Sequence, residues 1–322
     1  MKRGWLTGGS ILLAALIAAS PAMGEGWYGA FKPFFYASDL SHFGKNPLPA
    51  RSAGPLTEGA MSAVNSPSDA VSIAGAELTL GRRLDESSSA ELTLTKLRSE
   101  ASSVPSLIGS PKSLPTLFNG NLITAIVMDG FRRSLPESME YDTEFISAEL
   151  NYRRQAVALW SFMGGFRYMY LGEELDQSAP GNHVLQPHRL YGVDSESHFI
   201  GAQIGADFAA SLRENLSISG EVKLAGFVNV VETTTLLFDN EGNTFSYKDA
   251  DTRIATLVEG NFSMDWLIGP NMSLSAGYMA VFMGKISDGA SIAHDRTAAG
   301  FKHNDTDNVL FHGPVLKFQF IW

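Results

Sequence analysis

In at least five stretches of this chain, neighbouring residues alternate between two characters for ten to sixteen positions without a break. From 156 to 171 the even positions read Ala158, Trp160, Phe162, Gly164, Phe166, Tyr168 and Tyr170, against Ser161, Met163, Gly165, Arg167 and Met169. From 197 to 212, Ile200, Ala202, Ile204, Ala206 and Phe208 face Phe199, Gly201, Gln203, Gly205 and Asp207. From 215 to 231, Ile218, Val222, Leu224, Val228 and Val230 face Ser219, Glu221, Lys223 and Asn229. The stretches 252–267 and 271–286 repeat the pattern, with Arg253, Glu259, Asn261 and Asp265 on the polar face of the first. Period two means strand, and these strands are about twice the length usual in a soluble β-sandwich.

The mean hydropathy is near zero, an average that hides how this alternation concentrates the apolar residues on one face. Beyond residue 24 no apolar run reaches the ~20 residues of a membrane helix. Only a closed barrel satisfies every backbone group in lipid without helices. The predicted fold is therefore all-β: a transmembrane antiparallel up-and-down β-barrel with short periplasmic turns and long extracellular loops.

The N-terminus fits that destination. Lys2 and Arg3 precede the apolar stretch Ile11-Leu12-Leu13-Ala14-Ala15-Leu16-Ile17-Ala18-Ala19, and Ala22-Met23-Gly24 supplies small residues for cleavage. This predicts a signal peptide over 1–24, cut before Glu25, and a barrel over 25–322. With no cysteine there is neither a lipid-modified N-terminal Cys nor a disulfide. The 34 acids against 24 bases argue against a nucleic-acid partner.

Tight connections are read at 82–88, 153–156, 213–215 and 268–271, and long Gly/Pro/Ser/Asp-rich loops at 37–69, 99–141, 172–196, 232–251 and 287–308. With first and last strands at 27–36 and 309–322 the count is ten, which sets both termini at the periplasmic side. Residues 121–128 also read as a strand and leave twelve as the alternative. Trp27, Trp160, Trp266 and Trp322 fall at periplasmic strand ends, as one interfacial girdle requires. All seven histidines fall in long loops or at the opposite rim. In the last strand Leu316, Phe318, Phe320 and Trp322 share a face, and the C-terminal aromatic resembles the signal by which outer-membrane assembly machinery recognises its clients.

One family resemblance emerges. Ala148-Glu149-Leu150-Asn151-Tyr152-Arg153-Arg154, Gly165-Phe166-Arg167-Tyr168, Phe199-Ile200-Gly201-Ala202-Gln203-Ile204-Gly205, Gly277-Tyr278 and His312-Gly313-Pro314 occur in an order and spacing similar to the β-barrel porins numbered type seven. The resemblance covers roughly 140–322. It implies an outer-membrane barrel of porin-like character, surrounded by outer-membrane lipid, with no assigned substrate.

If even residues of the later strands face lipid, the lumen receives Glu149, Arg153, Arg167, Asp207, Glu221, Lys223, Arg253, Glu259, Asp265, Lys285 and Lys317, with Lys32, Glu77 and Glu91 from the first strands. Charges persist there where the lumen is wet or where they pair. Seven acids against seven bases is a near balance, whereas a selective pore carries one sign in excess. Two interiors follow: a weakly selective channel, or a plugged lumen stitched by salt bridges. Ten strands lie near the filled end of the size range.

Passive passage of small hydrophilic solutes is the leading reading, with Glu149, Arg167, Asp207, Glu221, Lys223, Glu259 and Lys285 as lining residues. The alternative is a closed barrel acting through its loops. A surface hydrolase using His294 or Asp295 is weaker, because nothing in the sequence brings a base to a nucleophile. No catalytic residue, metal ligand set or cofactor motif is identified.

Overall fold

The computed structural model describes residues 26–38, 71–103, 117–118, 121–122, 138–179, 188–238, 244–286, 296–297, 300–301 and 307–322. The signal-peptide reading falls outside them, as do His42, His183, His294, Asp295, His303 and most of the strand-like segment 121–128.

Ten strands close into one antiparallel barrel. They are β1 (Trp27–Ser38), β2 (Val71–Arg83), β3 (Ser88–Ser103), β4 (Ser138–Val157) and β5 (Trp160–Ala179). The circuit continues through β6 (His188–Arg213), β7 (Leu216–Phe238), β8 (Thr244–Gly269), β9 (Met272–Ile286) and β10 (Asp307–Ile321). Each strand pairs with its neighbours in sequence, and β1 pairs with β10 to abolish both edges. Two ribbons outside the barrel pair Leu117–Phe118 with Asn121–Leu122, and Arg296–Thr297 with Gly300–Phe301.

Every tight turn lies at one end, together with the start of β1 and the end of β10. This is the turn end; the long connections leave from the loop end. Asn215 and Pro270-Asn271 suit tight reversals. At residues 84–87 the carboxylate of Asp85 accepts hydrogen bonds from the Ser87 N–H (2.8 Å) and the Ser88 hydroxyl (2.6 Å). Trp27, Trp160, Trp266 and Trp322 all stand at the turn end, and the Trp322 N–H donates to Trp27 O at 2.9 Å, extending the seam between β10 and β1.

The alternation maps onto the wall as expected: Phe166, Ile200, Ile204, Val222, Leu224, Ile254 and Phe262 are exposed on the outside. Such an apolar exterior on a closed barrel belongs in lipid.

Two boundaries differ from expectation. The turn placed at 153–156 lies at Ala158–Leu159, with Arg153 still inside β4. Much of the expected loops 172–196 and 232–251 is strand: β5 runs on to Ala179, β6 starts at His188, β7 ends at Phe238 and β8 starts at Thr244. Outward positions there change from apolar to Glu196 and Glu232, which face each other across β6 and β7. The end of the apolar pattern marks where lipid stops. Backbone pairing ignores side-chain polarity and continues past that line.

Candidate functional site

The inner wall carries three successive characters from turn end to loop end. On β7 they are Lys223, then Ala225 and Phe227, then Asn229 and Thr233; on β8 the matching series is Glu259, Leu257, Ala255, Arg253.

The charged level comes first. Glu149 and Arg167 are directly opposed on β4 and β5, Lys223 and Glu259 on β7 and β8, and Lys32 and Glu77 on β1 and β2. Register therefore sets each cation beside a carboxylate on the next strand. The side chains then reach across the barrel. Arg167 Nη1 lies 3.3 Å from Glu149 Oε1 and 3.0 Å from Glu259 Oε2, while its Nε donates to Ser147 Oγ at 3.0 Å. Lys223 Nζ lies 3.3 Å from Glu149 Oε2, 3.4 Å from Glu259 Oε1 and 3.3 Å from Glu221 Oε1. Gln203 Nε2 donates to Glu149 Oε2 at 2.8 Å and to Asn151 Oδ1 at 2.7 Å. Arg167–Glu259 and Lys223–Glu149 join strands three apart around the barrel, and the Gln203 bonds join strands two apart, which backbone pairing cannot do.

Nearer the turn end Arg153 gathers three carboxylates. It pairs with Glu91 at 3.1 Å, with Glu221 at 3.0 Å, and with Asp207. Asp207 and Glu221 are direct register partners, two acids that need this shared cation between them. The Tyr28 hydroxyl also donates to Glu91. Glu221 bonds both Arg153 and Lys223, so the two groups form one network. Lys32 and Glu77 add a pair at 2.8 Å.

Solvent access decides what this network can do. Glu149 is 1% exposed, Glu259 3%, Arg167 5% and Lys223 5%. Groups lining an open aqueous pore would be wetted. These fill the section they occupy, and their charges are tolerated because each is met by opposite charge and hydrogen bonds.

An apolar level follows towards the loop end. Phe34, Leu97, Phe145, Met169, Leu171, Phe199, Phe227, Leu257 and Met283 belong to one buried cluster supplied from nine strands. Glycines make room for it. A Cβ on Gly201, which lies opposite both Arg167 and Phe227, would sit 2.0 Å from Gly226 O and 2.7 Å from Phe227 Cδ1. At the charged level Gly165, between Asn151 and Gln203, is constrained in the same way by Asn151 and the Leu150 carbonyl.

Of the residues selected from sequence, Glu149, Arg167, Asp207, Glu221, Lys223 and Glu259 come together in this network. Lys285 does not. Its φ is 59°, the β9 register shifts between Met283 and Ile286, and both of those residues are buried while Lys285 is exposed at the loop end. A bulge breaks period two, so parity counted through it selects the wrong side chain. Arg253 pairs with Asp251 at 2.8 Å beyond the apolar level. Counting polar residues missed the apolar level, although Met169 and Phe199 stood among the inward positions. Arg153 was placed both in the lumen and at a tight turn, and the turn placement hid its hub role. Among the described residues no group of three or more His, Cys, Asp or Glu is arranged to hold a metal ion.

No family model and no curated protein matches the sequence. Among solved structures the chain is similar to the outer membrane protease OmpT from Escherichia coli, at 9% identity over 92% of this chain and 94% of that one, with a TM-score of 0.43. It is also similar to the translocator domain of the autotransporter NalP from Neisseria meningitidis, at 11% identity over 98% and 97%, TM-score 0.39. The Pseudomonas putida toluene transporter TodX is similar at 9% identity over 96% and 93%, TM-score 0.34.

Proposed function

We propose that this chain is a bacterial outer-membrane β-barrel, closed across its lumen at rest, that meets the exterior through its loop end. The observation that carries this reading is the burial of Glu149, Arg167, Lys223 and Glu259 in mutual contact where a pore would need water. The apolar outer face supports a membrane location, and the N-terminal export pattern supports the outer membrane of a Gram-negative-type envelope. The turn end then faces the periplasm. Phe318, Phe320 and Trp322 are read as the signal to the barrel-assembly machinery. The reading involves no catalytic step and no cofactor.

Passive, weakly selective passage of small hydrophilic solutes is the competing reading. It draws on the porin resemblance of residues 140–322 and on the mixed charge of the network, which becomes a weakly selective wet path if its layers part.

Residues 25–322, refolded and inserted in a planar lipid bilayer, separate the two. A heat-modifiable barrel that passes no current at moderate voltage is expected. Discrete steps whose size or ion preference changes in Arg167→Ala or Glu221→Gln would overturn closure in favour of the porin.

A further inference from the structure

On the outer surface near the turn end, two arginines face the membrane from strands on either side of β3. Trp27 is opposite Arg82, Arg82 opposite Ala90, and Ala90 opposite Tyr152. One step nearer the turns, Ser88 is opposite Arg154, and Arg154 opposite Phe162. Arg82 on β2 and Arg154 on β4 are both exposed, and only the small residues Ala90 and Ser88 lie on the strand between them. The Arg82 guanidinium stands over the Trp27 ring, 5.5 Å from its centre.

Both arginines are set within apolar surface. Leu92, Leu150 and Tyr152 are exposed on the side towards the middle of the barrel, and Leu84, Val157 and Leu159 on the side towards the turns. A cation in lipid-facing surroundings loses water and calls for opposite charge. Elsewhere on these strands the fold supplies it. At the loop end Lys96 pairs with Glu144 at 2.6 Å, and Arg98 with Asp142 at 3.4 Å, both on the outer face of β3 and β4. Among the described residues neither Arg82 nor Arg154 is paired with a carboxylate. Asp85, the acid nearest to Arg82 in sequence, is taken up by Ser87 and Ser88. Lys248 and Lys285 are exposed too, but they stand beyond the apolar band, where water solvates them.

The missing charge therefore comes from the membrane. A guanidinium presents a planar fork of N–H groups that fits two oxygens of a phosphate. The strands bearing the two arginines are only two interstrand spacings apart, roughly 10 Å, so both side chains reach a phosphate lying over Ala90 and Ser88. Trp27 and Tyr152 flank that position as interfacial aromatics do, and Leu92 and Leu150 lie where acyl chains would run. A zwitterionic headgroup brings its own ammonium to compete for the phosphate, whereas an anionic one does not. We propose that Arg82 and Arg154, framed by Trp27 and Tyr152, form a site for the phosphodiester of an anionic glycerophospholipid in the leaflet at the turn end. The proposal rests on the membrane reading of the apolar face and is independent of closure.

The test uses residues 25–322 folded in non-ionic detergent micelles and titrated with dioleoylphosphatidylglycerol or dioleoylphosphatidylcholine, with bound lipid counted by native mass spectrometry. Tighter retention of phosphatidylglycerol is expected, and its affinity should fall about tenfold or more in Arg82→Gln with Arg154→Gln. A parent without headgroup preference overturns the proposal, as does a double variant that keeps it. Lys248→Gln removes the same charge at the loop end and is expected to bind as the parent does. An equal loss there would reduce the effect to net charge and sink the site. If the double variant fails to fold, Arg154→Gln alone decides, and undiminished preference there is fatal. Vesicles keep the two readings apart. A parent that enters phosphatidylcholine vesicles as a heat-modifiable barrel yet shows no preference keeps the membrane reading and loses the site, whereas one that enters vesicles of neither lipid loses both.

Discussion

Arg167 meets Glu149, Glu259 and Ser147 with almost no solvent beside it, so its worth lies in the partners it would leave behind. Arg167→Met leaves two carboxylates to share Lys223 in a dry section, and breaking a buried pair in this way typically costs about 3–5 kcal/mol. Adding Glu259→Gln removes the excess carboxylate, leaves Glu149 paired with Lys223, and is expected to restore much of that loss. Urea midpoints of the folded, heat-modifiable band would measure both, and a single variant as stable as the parent would refute the network's stabilising role. At the barrel's surface Asp85 behaves differently. Hydrogen bonds from Ser88 and Ser87 hold its carboxyl down at about 2, below its ordinary value. A depressed carboxylate contributes stability above its unfolded pKa and loses it as pH falls through the folded one. The protection factor of the Ser87 amide, its exchange relative to the unfolded chain at the same pH, should therefore hold at pH 5 and fall towards pH 2, while in Asp85→Ala it is low throughout.

At the scale of the strand, the same residue type means different things on the two faces and at different heights. Ile204 is exposed outward between Phe208 at the turn end and His198 at the loop end, in the middle of the apolar face of β6. Ile204→Arg is expected to cost about 2–4 kcal/mol in a bilayer, whereas Thr234→Arg, beyond the apolar band on β7, should cost close to nothing. Equal costs at the two sites would contradict the assigned membrane boundary. This contrast also explains what the sequence could tell. Faces were legible wherever lipid forces one of them to be apolar, which is why Arg167, Glu221 and Lys223 were assigned inward from parity alone. Strand ends were not, because the pairing of 172–179 with 188–196 leaves no hydrophobic signature once lipid is gone. Lys285 escaped because a bulge is a backbone event with no period of its own. Closure stood in the sequence only as the alternative, because it depends on which inward residues meet across the barrel, a relation set by stagger between strands that are not neighbours.

For the barrel as a whole, the proposed closure comes from two unlike layers in series. The charged level resists water because its groups saturate one another, and the apolar level resists ions because it offers them no hydration. Barriers in series open only when both are lowered. Arg167→Ala with Glu149→Ala leaves Phe199, Phe227 and Leu257 packed above the gap. Phe227→Ala with Leu257→Ala leaves Lys223 bridging Glu149 and Glu259 below. Either pair alone is expected to stay silent in a planar bilayer, and the fourfold variant to conduct in discrete steps. Because the fourfold variant keeps Lys223 and Glu259 but loses Arg167 and Glu149, those steps should show only weak ion preference. Conductance in the charge pair alone would make the ion network the sole barrier, and conductance in the apolar pair alone would assign closure to the aromatic level. A folded, silent fourfold variant would mean that a third layer, at Asn229 or in the loops, also closes the path.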